Sequence, residues 1–492
     1  MERIISLLFI STKFFILFLM SYLPFNTVNK KHLLKNYLEE AGGSFIKIGQ
    51  IIALRVNILP KEYSIELLDL FDHVKPFSYK EVEIIYKKEF GTTPDKIFKV
   101  FEKIPFASAS FGQVHAAKLT NGKIVAVKVQ RPDIRELVYA DFFVIKLVIA
   151  ILSIFIKIDG LSWSNFFKEF KHWTIEELDY HIEANNSQEI YDNAIHSNNI
   201  TIPKIYHKLS TDNILVQDYI DGVPLSRILK EIRKGNMDID KLEKIGINVK
   251  LGIENLVHEM TRQYFFGTSF HADPHPGNVL IMDKGKIGLI DFGIVGNPAP
   301  NRYAFRHFLK AAAQNKFEET GYYFISFAGE ELERMITNAF PTSTKYNHVD
   351  KIMKILAKDF QNKMNKTVMK IRVDLTDMKI DYTLMILQVL KTVQKYKIKL
   401  PDQLISFLRA LSIIGFLAKE LDSSFSLTKL VNSFFEKYSE ESFPTLDVTS
   451  IPYRRMSREE ALERLNNWII YLMETEPELY HSISDYVTNY KK

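Results

Sequence analysis

The segment from His271 to Asn278 reads HADPHPGN, and it constrains this chain of 492 residues more than any other stretch. Its two prolines fix φ and prevent helical hydrogen bonding, so the segment predicts an open loop between strand ends. An Asp-Phe-Gly sequence begins at Asp291, thirteen residues after Asn278 and beyond two short runs that predict strands. Asp273, Asn278 and Asp291 thus offer the carboxylate and amide oxygens that Mg²⁺ accepts. The pattern favours phosphoryl transfer, which depends on positioned metal ions and an oriented nucleophile.

The order of Asp, Asn and Asp-Phe-Gly in these loops is that of protein kinases. In this interpretation Asp273 faces the phosphate acceptor, while Asn278 and Asp291 hold Mg²⁺ against the phosphates. Two other interpretations stay open at this stage. One is a proline-rich turn with incidental acids, and the other is a metal site in which His271, Asp273 and His275 are alternating ligands.

A lysine in an apolar strand is the second feature. Lys128 lies within Val125–Val129, where its neighbours are all small or apolar, and a buried charge is costly unless it is paired. In kinases the corresponding lysine contacts the α- and β-phosphates and is held by a glutamate of a helix. A lysine at a strand edge that extends its ammonium group to water is the alternative.

A segment rich in acids follows further along the chain. Glu176, Asp179 and Glu183 are spaced i, i+3 and i+7, which predicts that they share one face of a single helix. Thr174 and Glu177 also fit a capping box, in which Glu177 would only begin that helix. The segment therefore supplies a partner for the lysine or forms an ordinary solvated face.

A short run before the lysine strand stands where a phosphate-binding loop is expected. It consists of Ala107, Ser108, Ala109, Ser110, Phe111, Gly112, Gln113 and Val114. With one glycine it is stiffer than a loop with three. The sequence has no GxxxxGK[ST] and no GxGxxG, so it excludes a P-loop NTPase and argues against a Rossmann redox enzyme.

Composition removes further classes of protein. The chain has no cysteine, which excludes disulfide scaffolds, zinc–thiolate sites, iron–sulfur clusters and cysteine nucleophiles. The net charge is only +5 and no basic run stands out, so we expect no nucleic-acid partner. A hydrophobic fraction of 46% and a charged fraction of 25% are ordinary for a globular protein.

The N-terminal segment Ile4–Leu23 is apolar, and Lys13 is its only charged residue. About 20 apolar residues span a bilayer, and no small-x-small cleavage site indicates a signal peptide. We therefore expect a membrane tether, with the side of Lys30 and Lys31 cytoplasmic. A buried or interfacial helix is the alternative. The apolar run at 147–156 is too short to span and predicts a core helix.

The chain resembles a known family over roughly residues 42–296, namely the UbiB-type atypical kinases of ubiquinone biosynthesis, called the ADCK family in eukaryotes. The resemblance rests on six motifs in the family's order. They are the KxGQ signature at Lys47-Ile48-Gly49-Gln50, the alanine-rich loop at Ala107–Ser110, the lysine strand at Val125–Pro132, the ExD motif at Glu177-Leu178-Asp179, the catalytic loop at His271–Asn278 and the Asp-Phe-Gly motif at Asp291-Phe292-Gly293.

The resemblance implies that the helical leader with the KxGQ signature folds over the active site and obstructs the cleft for protein substrates. Lys47, Gln50, Glu177 and Asp179 are then regulatory residues, and Lys47 pairs with Glu177 or Asp179. The barrier would restrict the approach of a peptide hydroxyl to Asp273.

The resemblance also implies an activity, in which Lys128, Glu183 and Asp273 are catalytic and ATP and Mg²⁺ are the cofactors. The expected function is an atypical kinase or ATPase that supports ubiquinone (coenzyme Q) biosynthesis. The expected partners are a prenylphenol-like lipid or quinone-biosynthesis proteins. The expected location is a membrane, either the cytoplasmic face of a bacterial inner membrane or the mitochondrial inner membrane. Two alternatives stay open. One is a pseudokinase that acts as an ATP-gated lipid-binding or scaffold protein, and the other is a small-molecule kinase of the aminoglycoside or choline type.

We therefore predict an α+β protein with a protein-kinase-like two-lobed fold, a helical N-terminal extension and a helical C-terminal region. Asn121-Gly122 between two β-branched runs predicts a hairpin in the first lobe. The predicted regions are an apolar segment at residues 1–28, a helical extension at 29–104, an N-lobe with inserted helices at 105–222 and a helical C-lobe at 223–492.

Overall fold

A computed structural model of the chain describes most of the residues. The described ranges are 2–21, 30–53, 75–155, 163–194, 197–299, 302–314, 330–339, 345–374, 402–422, 424–438 and 457–489, with the single residues 63, 66, 67, 70, 316, 319, 320, 323 and 396. The ends of two predicted apolar runs, residues 22–23 and 156, lie outside them. The chain divides into two compact units, Met1–Gly252 with Asp273–Val295, and Ile253–Ala272 with Gly296–Lys492.

The first unit opens with a group of helices. They are α1 Glu2–Met20, α2 Lys30–Ala41, α3 Ser44–Ala53, α4 Tyr79–Phe90 and α5 Pro94–Ile97. Of the described helices, α1 alone is long and apolar enough to cross a membrane by length and composition. One of its faces nevertheless packs on the protein, because Leu7, Ile10 and Phe14 are buried and α1 contacts α2.

A five-stranded sheet follows, built from β1 Val100–Phe101, β2 Ala107–Ser108, β3 Gly112–Lys118, β4 Ile124–Gln130 and β6 Ile214–Asp218. The strand order is β1-β3-β4-β6, with β2 paired to β3. The predicted hairpin at Asn121-Gly122 is confirmed, because β3 and β4 pair antiparallel and Gly122 has a φ of +88°. Glycine adopts this conformation without a steric penalty.

The two faces of this sheet bury different groups. Val125, Val127 and Val129 of β4 pack into a hydrophobic core with Val82 and Tyr86 of α4. Because side chains alternate along a strand, the intervening positions of β4 face the opposite side, where the candidate site lies.

The first unit is completed by helices and a second sheet. The helices are α6 Ile134–Phe155, α7 Trp163–Glu177, α8 Tyr180–Ala194, α9 Leu225–Arg233 and α10 Ile239–Lys244, and the strands are β5 Ile200–Thr201, β7 Val223–Pro224, β9 Val279–Ile281 and β10 Ile287–Leu289, in the order β5-β10-β9-β7. The prediction of a core helix at 147–156 is wrong in part. Leu147 and Ile151 of α6 are 44% and 49% exposed, while Ile145 and Ile149 are buried, because only one face of α6 packs on its neighbours.

The second unit is mainly helical, in agreement with the sequence. Helix α11 Val249–Phe266 leads into it, followed by β8 Phe270–His271, β11 Val295–Gly296, α12 Arg302–Ala313, α13 Glu330–Ala339, α14 Lys345–Asp374, α15 Asp402–Leu421, α16 Leu427–Lys437, α17 Arg458–Thr475 and α18 Pro477–Asn489. Tyr264 and Phe407 stack at its centre with ring centroids 4.0 Å apart, and Phe270 and Phe305 pack edge-on against them. This confirms the mixed helix and sheet class.

Candidate active site

Lys128 lies at the centre of the candidate site, on the face of β4 opposite the valine core. Its Nζ donates to Glu183 Oε1 of α8 and lies 3.0 Å from Asp291 Oδ2 of the Asp-Phe-Gly sequence. The Lys128 side chain is only 12% exposed. The structure therefore supplies the helical glutamate partner that the sequence predicts for this lysine, and it rules out a lysine that reaches water at a strand edge.

Electrostatics keep two of these three groups charged. Burial alone would lower the pKa of Lys128, but the carboxylates of Asp291 and Glu183 outweigh it and the pKa is raised. Against the opposing effect of burial, Lys128 and the Gly293 N–H lower the pKa of Asp291. Burial, together with the nearby Asp291, raises the pKa of Glu183. Asp291 is thus the group poised to stay anionic, and Glu183 is the group that takes up a proton more readily.

The backbone around Asp291 is fixed by polar contacts. The Gly293 N–H donates to Asp291 Oδ1 at 3.1 Å, and the Phe292 N–H donates to Glu183 Oε1 at 3.3 Å. Asn186 Nδ2 donates to Phe292 C=O at 2.9 Å. Asn186 is not among the residues predicted from the sequence, although its spacing of i+3 from Glu183 on α8 places both on one helix face. Asn186 therefore supports the orientation of the Asp-Phe-Gly segment.

The loop with Asp273 is ordered by its own side chains. Asn278 Nδ2 donates to Asp273 C=O at 3.3 Å, and the Asn278 N–H donates to His275 C=O at 2.9 Å. The Gly277 N–H donates to His275 Nδ1 at 3.1 Å. The described residues contain no group of three or more His, Asp or Glu side chains placed to hold a metal ion, so the alternative of a site ligated by His271, Asp273 and His275 is not supported.

The residues present fit a magnesium ion bound with phosphates. Asp291 supplies an anionic carboxylate and Asn278 an amide, both hard oxygen donors. Mg²⁺ characteristically takes one or two protein carboxylates and completes its shell with water and substrate phosphates rather than a full protein cage. A site with few protein ligands next to Lys128 matches this requirement.

The predicted phosphate loop is a tight turn between β2 and β3. The Ala109 N–H donates to Gly112 C=O at 2.8 Å, and Arg131 Nη2 donates to Ser108 Oγ at 3.2 Å. A Cβ at Gly112 would lie 2.7 Å from both Tyr180 Oη and Val129 C=O, so glycine is required for this close approach.

The eight predicted loop residues do not share one side. Ala107 and Ala109 are exposed, whereas Ser110 and Phe111 are buried. Val114 pairs with Lys128 across the sheet and thus lies on the same face. Gln113 lies on the other face, where its Oε1 accepts from the Phe77 N–H at 2.9 Å. We therefore place Gln113 in the support of the extension rather than in the site.

The prediction that Glu176, Asp179 and Glu183 share one helix face is wrong. Helix α7 ends at Glu177 and α8 begins at Tyr180. The intervening Leu178 C=O accepts hydrogen bonds from Gln130 Nε2 and Arg135 Nη2, so it is not available to continue a helix.

The capping-box alternative for Glu177 is wrong for the same reason. Thr174 lies inside α7 and its Oγ1 donates to Phe170 C=O at 2.7 Å. Asp179 Oδ1 instead accepts from the His181 N–H at 2.9 Å, at the start of α8. Glu177 is therefore the last residue of its helix, where its side chain is available for a tertiary contact.

That contact is with the extension. Lys47 Nζ of α3 lies 2.6 Å from Glu177 Oε2, and the Lys47 side chain is only 8% exposed. Burial would lower the pKa of Lys47, but the carboxylates of Glu177, Asp273 and Asp291 raise it. Lys47 therefore faces the acids of the candidate site, with Glu177 rather than Asp179 as its partner.

The neighbours of Lys47 explain the rest of the KxGQ signature. A Cβ at Gly49 would lie 2.5 Å from Leu70 Cδ1 and 2.7 Å from Leu38 Cδ1, so glycine permits close packing of α3. Gln50 Nε2 donates to Leu70 C=O at 3.1 Å. Gln50 thus holds α3 in place through the backbone, at a different point from the acidic site.

A strand lysine paired with a helical glutamate, an Asp-x₄-Asn loop and an Asp-Phe-Gly segment together define a protein-kinase-like domain. The family model for the ABC1 atypical kinase-like domain matches residues 69–321, just over half of the chain. The chain belongs to this family, as the motifs in its sequence predict.

Three relatives illustrate the similarity. The chain is 34% identical over 264 residues to the chloroplastic protein ACTIVITY OF BC1 COMPLEX KINASE 1 of Arabidopsis thaliana (53% of this chain, 37% of that protein). It is 33% identical over 273 residues to the chloroplastic protein ACTIVITY OF BC1 COMPLEX KINASE 8 of the same plant (54% and 34%). It is 28% identical over 412 residues to an uncharacterized protein in the hydrogenase 1 5′ region of Clostridium pasteurianum (83% and 71%). The chain thus spans little more than a third of the length of the two plant relatives.

Among solved structures, the chain is similar to Rv3197 of Mycobacterium tuberculosis, determined as a complex with erythromycin. The two are 20% identical with a TM-score of 0.46, and the match covers 81% of this chain and 93% of that one.

Proposed function

We propose that this protein is an atypical kinase or ATPase that binds MgATP and supports ubiquinone biosynthesis at a membrane. The observation that carries the proposal is the position of Lys128 between Glu183 and Asp291. The Asp291 side chain stays anionic and is 35% exposed, so it can offer a carboxylate oxygen to Mg²⁺ while Lys128 binds phosphate oxygens. Such a site has little structural purpose of its own, since buried ion pairs rarely add net stability.

Each residue has a separate task in this proposal. Lys128 binds phosphate oxygens, and Glu183 fixes the orientation of Lys128. Asp291 and Asn278 would hold Mg²⁺, which neutralises charge on the phosphates. The carboxylate of Asp273 orients the attacking hydroxyl or water and accepts its proton.

The Lys47–Glu177 ion pair favours a small acceptor over a protein. It joins α3 to the end of α7 beside the acids of the site, and its charge neutralises carboxylates that an incoming cationic peptide would otherwise contact. Water or a small phenolic hydroxyl needs less room than a peptide segment. A prenylphenol-like lipid or water is therefore the acceptor that we propose.

The surface of α1 and α6 supports attachment to a membrane. Tyr139, Phe143, Leu147 and Ile151 of α6 recur every four residues and are all exposed. Helix α1 packs on α6 and exposes a second apolar face, which comprises Ile5, Leu8, Phe9, Phe15, Ile16 and Leu19. Soluble proteins rarely expose an apolar surface of this extent, and an amphipathic helix that lies in the interface is one way to bury it. We propose that this surface lies in the lipid interface.

Vesicle sedimentation tests the attachment. Phe9 is 72% exposed, so Phe9→Asp should not disturb the core and should move protein from the vesicle pellet to the supernatant. Ile245 is 65% exposed on a different part of the first unit, so Ile245→Asp is the matched control and should still sediment. Equal sedimentation of both variants would contradict the proposal that the apolar surface of α1 and α6 binds the membrane.

Phosphate release tests the activity. Purified protein should hydrolyse ATP in the presence of Mg²⁺, faster with vesicles that contain a prenylphenol, and Asp273→Asn should remove most of this turnover. Positioned acid–base groups contribute roughly 10²–10⁴-fold to rate. Binding of MgATP with turnover that Asp273→Asn does not change would instead favour the pseudokinase alternative, in which ATP gates lipid binding or assembly.

A further inference from the structure

Gln217 of β6 occupies the same face of the sheet as Lys128. In the β4–β6 pairing Lys128 is opposite Leu215, and Ala126 is opposite Gln217. Directly paired residues of antiparallel strands point to one side, and Ala126 and Lys128 are two residues apart on β4. Gln217 therefore lies about 7 Å along the sheet from the position of Lys128, inside the candidate site.

The side chain of Gln217 is buried, and its amide nitrogen is hydrogen-bonded to the backbone. It is 3% exposed, and its Nε2 donates to Ile290 C=O at 3.1 Å, directly before Asp291. Only the amide nitrogen can donate to a carbonyl, so this contact fixes which way the amide group points. Among the described residues Oε1 has no hydrogen-bond partner. A buried acceptor without a donor is costly, so it points to a donor outside the part of the chain that the structure describes.

The geometry of the sheet indicates what kind of ligand passes this oxygen. The tight turn before β3 lies at the end of the sheet where Gly112 of β3 is paired with Gln130 of β4. A nucleotide whose phosphates lie at this turn and at Lys128 extends its base in the other direction, toward Ala126 and Gln217. The side chain of Ala126 is a single methyl group, so it does not itself block a flat ring that lies against β4. The oxygen of Gln217 is then at the edge of the base.

We propose that Gln217 selects adenine, with its Oε1 accepting a hydrogen bond from the 6-amino group of the base. Guanine and hypoxanthine carry an oxo group at this position. The oxo oxygen and Gln217 Oε1 are both acceptors, so they cannot hydrogen-bond to each other. Gln217 links this selection to the metal site, because the same amide group holds the backbone before Asp291. The inference rests on the proposed nucleotide function and adds its base specificity.

Calorimetric binding of three nucleotides to the full chain tests the proposal, with Mg²⁺ present throughout. The probes are ATP, purine riboside triphosphate, which lacks the 6-amino group, and inosine triphosphate. Wild-type protein should bind ATP about tenfold more tightly than purine riboside triphosphate, as one hydrogen bond implies, and inosine triphosphate more weakly still. Gln217→Met, of similar volume, should reduce the ATP preference to about one.

A control variant separates base recognition from loss of a buried hydrogen bond. Gln130 is 2% exposed and its Nε2 donates to Leu178 C=O at 3.0 Å. Gln130→Met therefore removes a comparable contact at the loop end of the neighbouring strand β4, and it should keep the tenfold preference.

The outcomes distinguish the inference from the proposed function. Wild-type protein that binds ATP and purine riboside triphosphate equally would overturn the role of Gln217, even if Gln217→Met does not fold. A folded Gln217→Met variant that keeps the preference would overturn it as well, because another group would then read the base. Absence of binding to all three nucleotides would contradict the proposed function itself.

Discussion

Lys47 Nζ and Glu177 Oε2 lie 2.6 Å apart, so a buried lysine of the extension is paired with the last residue of α7. The same lysine is stabilised in its charged form by Asp273 and Asp291. The extension is thus tied electrostatically to the residues that we propose to carry out phosphoryl transfer. The position of this ion pair suits a barrier better than a part of the phosphate-binding site, because α3 belongs to the extension and not to the sheet.

We expect Lys47→Ala to loosen this barrier and to permit autophosphorylation, measured with radiolabelled ATP. Glu177 would lose its partner while its burial continues to raise its pKa, so a loss of roughly 1–3 kcal/mol in unfolding free energy should accompany the change. The exposed Lys96 of the same extension gives the control Lys96→Ala, which should change neither quantity.

A second variant separates gating from stability. Lys47→Ala combined with Glu177→Gln removes both charges and should recover much of the lost stability while labelling stays high. Labelling that falls back to the wild-type level in the double variant would show that the single variant acts through an unpaired charge and not through an open barrier.

The second prediction concerns the attachment of α1. Asp141 of α6 is fully buried and accepts from Arg3 Nε at 2.9 Å and from the Ser44 N–H at 2.8 Å. Arg3→Ala leaves a buried carboxylate without its cation, and we expect a cost of about 3 kcal/mol, with faster hydrogen exchange in α1 and at the start of α3. Lys13 lies on the same helix as Arg3, and Lys13→Ala removes its exposed ion pair with Glu40 of α2, which should cost under about 1 kcal/mol. Equal effects of the two variants would contradict a tertiary role for Asp141.

The third prediction concerns the dependence of stability on pH. Burial lowers the pKa of His115, against the smaller effect of its hydrogen bond to Glu102 C=O, so the folded state disfavours protonation. The unfolded chain then binds more protons, and stability is lost as the pH falls below about 6.5. We expect the midpoint of thermal unfolding to decrease between pH 7 and pH 5, with a smaller decrease in His115→Gln. His172 is 69% exposed, so His172→Gln should retain the wild-type slope, and a His115→Gln slope as steep as this control would contradict the prediction.

The elements with local signals were predictable from the sequence. Asn121-Gly122 specifies a turn through glycine at positive φ, and the lysine strand shows the small and apolar neighbours of a buried strand. That Lys128 has a buried partner could be predicted because this requirement does not depend on the details of packing, whereas the choice of Glu183 among the nearby acids followed from the family resemblance.

The break between α7 and α8 could not be predicted in this way. The local sequence around Glu177 favours a helix start, but Gln130 and Arg135 bind Leu178 C=O from elsewhere in the chain. These distant hydrogen bonds determine where the helix ends. The link between Asp141 and Ser44 is hidden for the same reason, because no short-range pattern shows that α3 and α6 meet.

Calorimetric titration of Asp291→Asn with MgATP tests the central claim most directly. The substitution is nearly isosteric and replaces the anionic oxygen beside Lys128 with a neutral amide, so the fold should persist while the affinity for MgATP falls by at least tenfold. Asp283→Asn, at an exposed aspartate of the same unit, should bind MgATP as the wild-type protein does. Equal affinities for MgATP in wild type and Asp291→Asn would contradict the assignment of this site to metal-bound ATP.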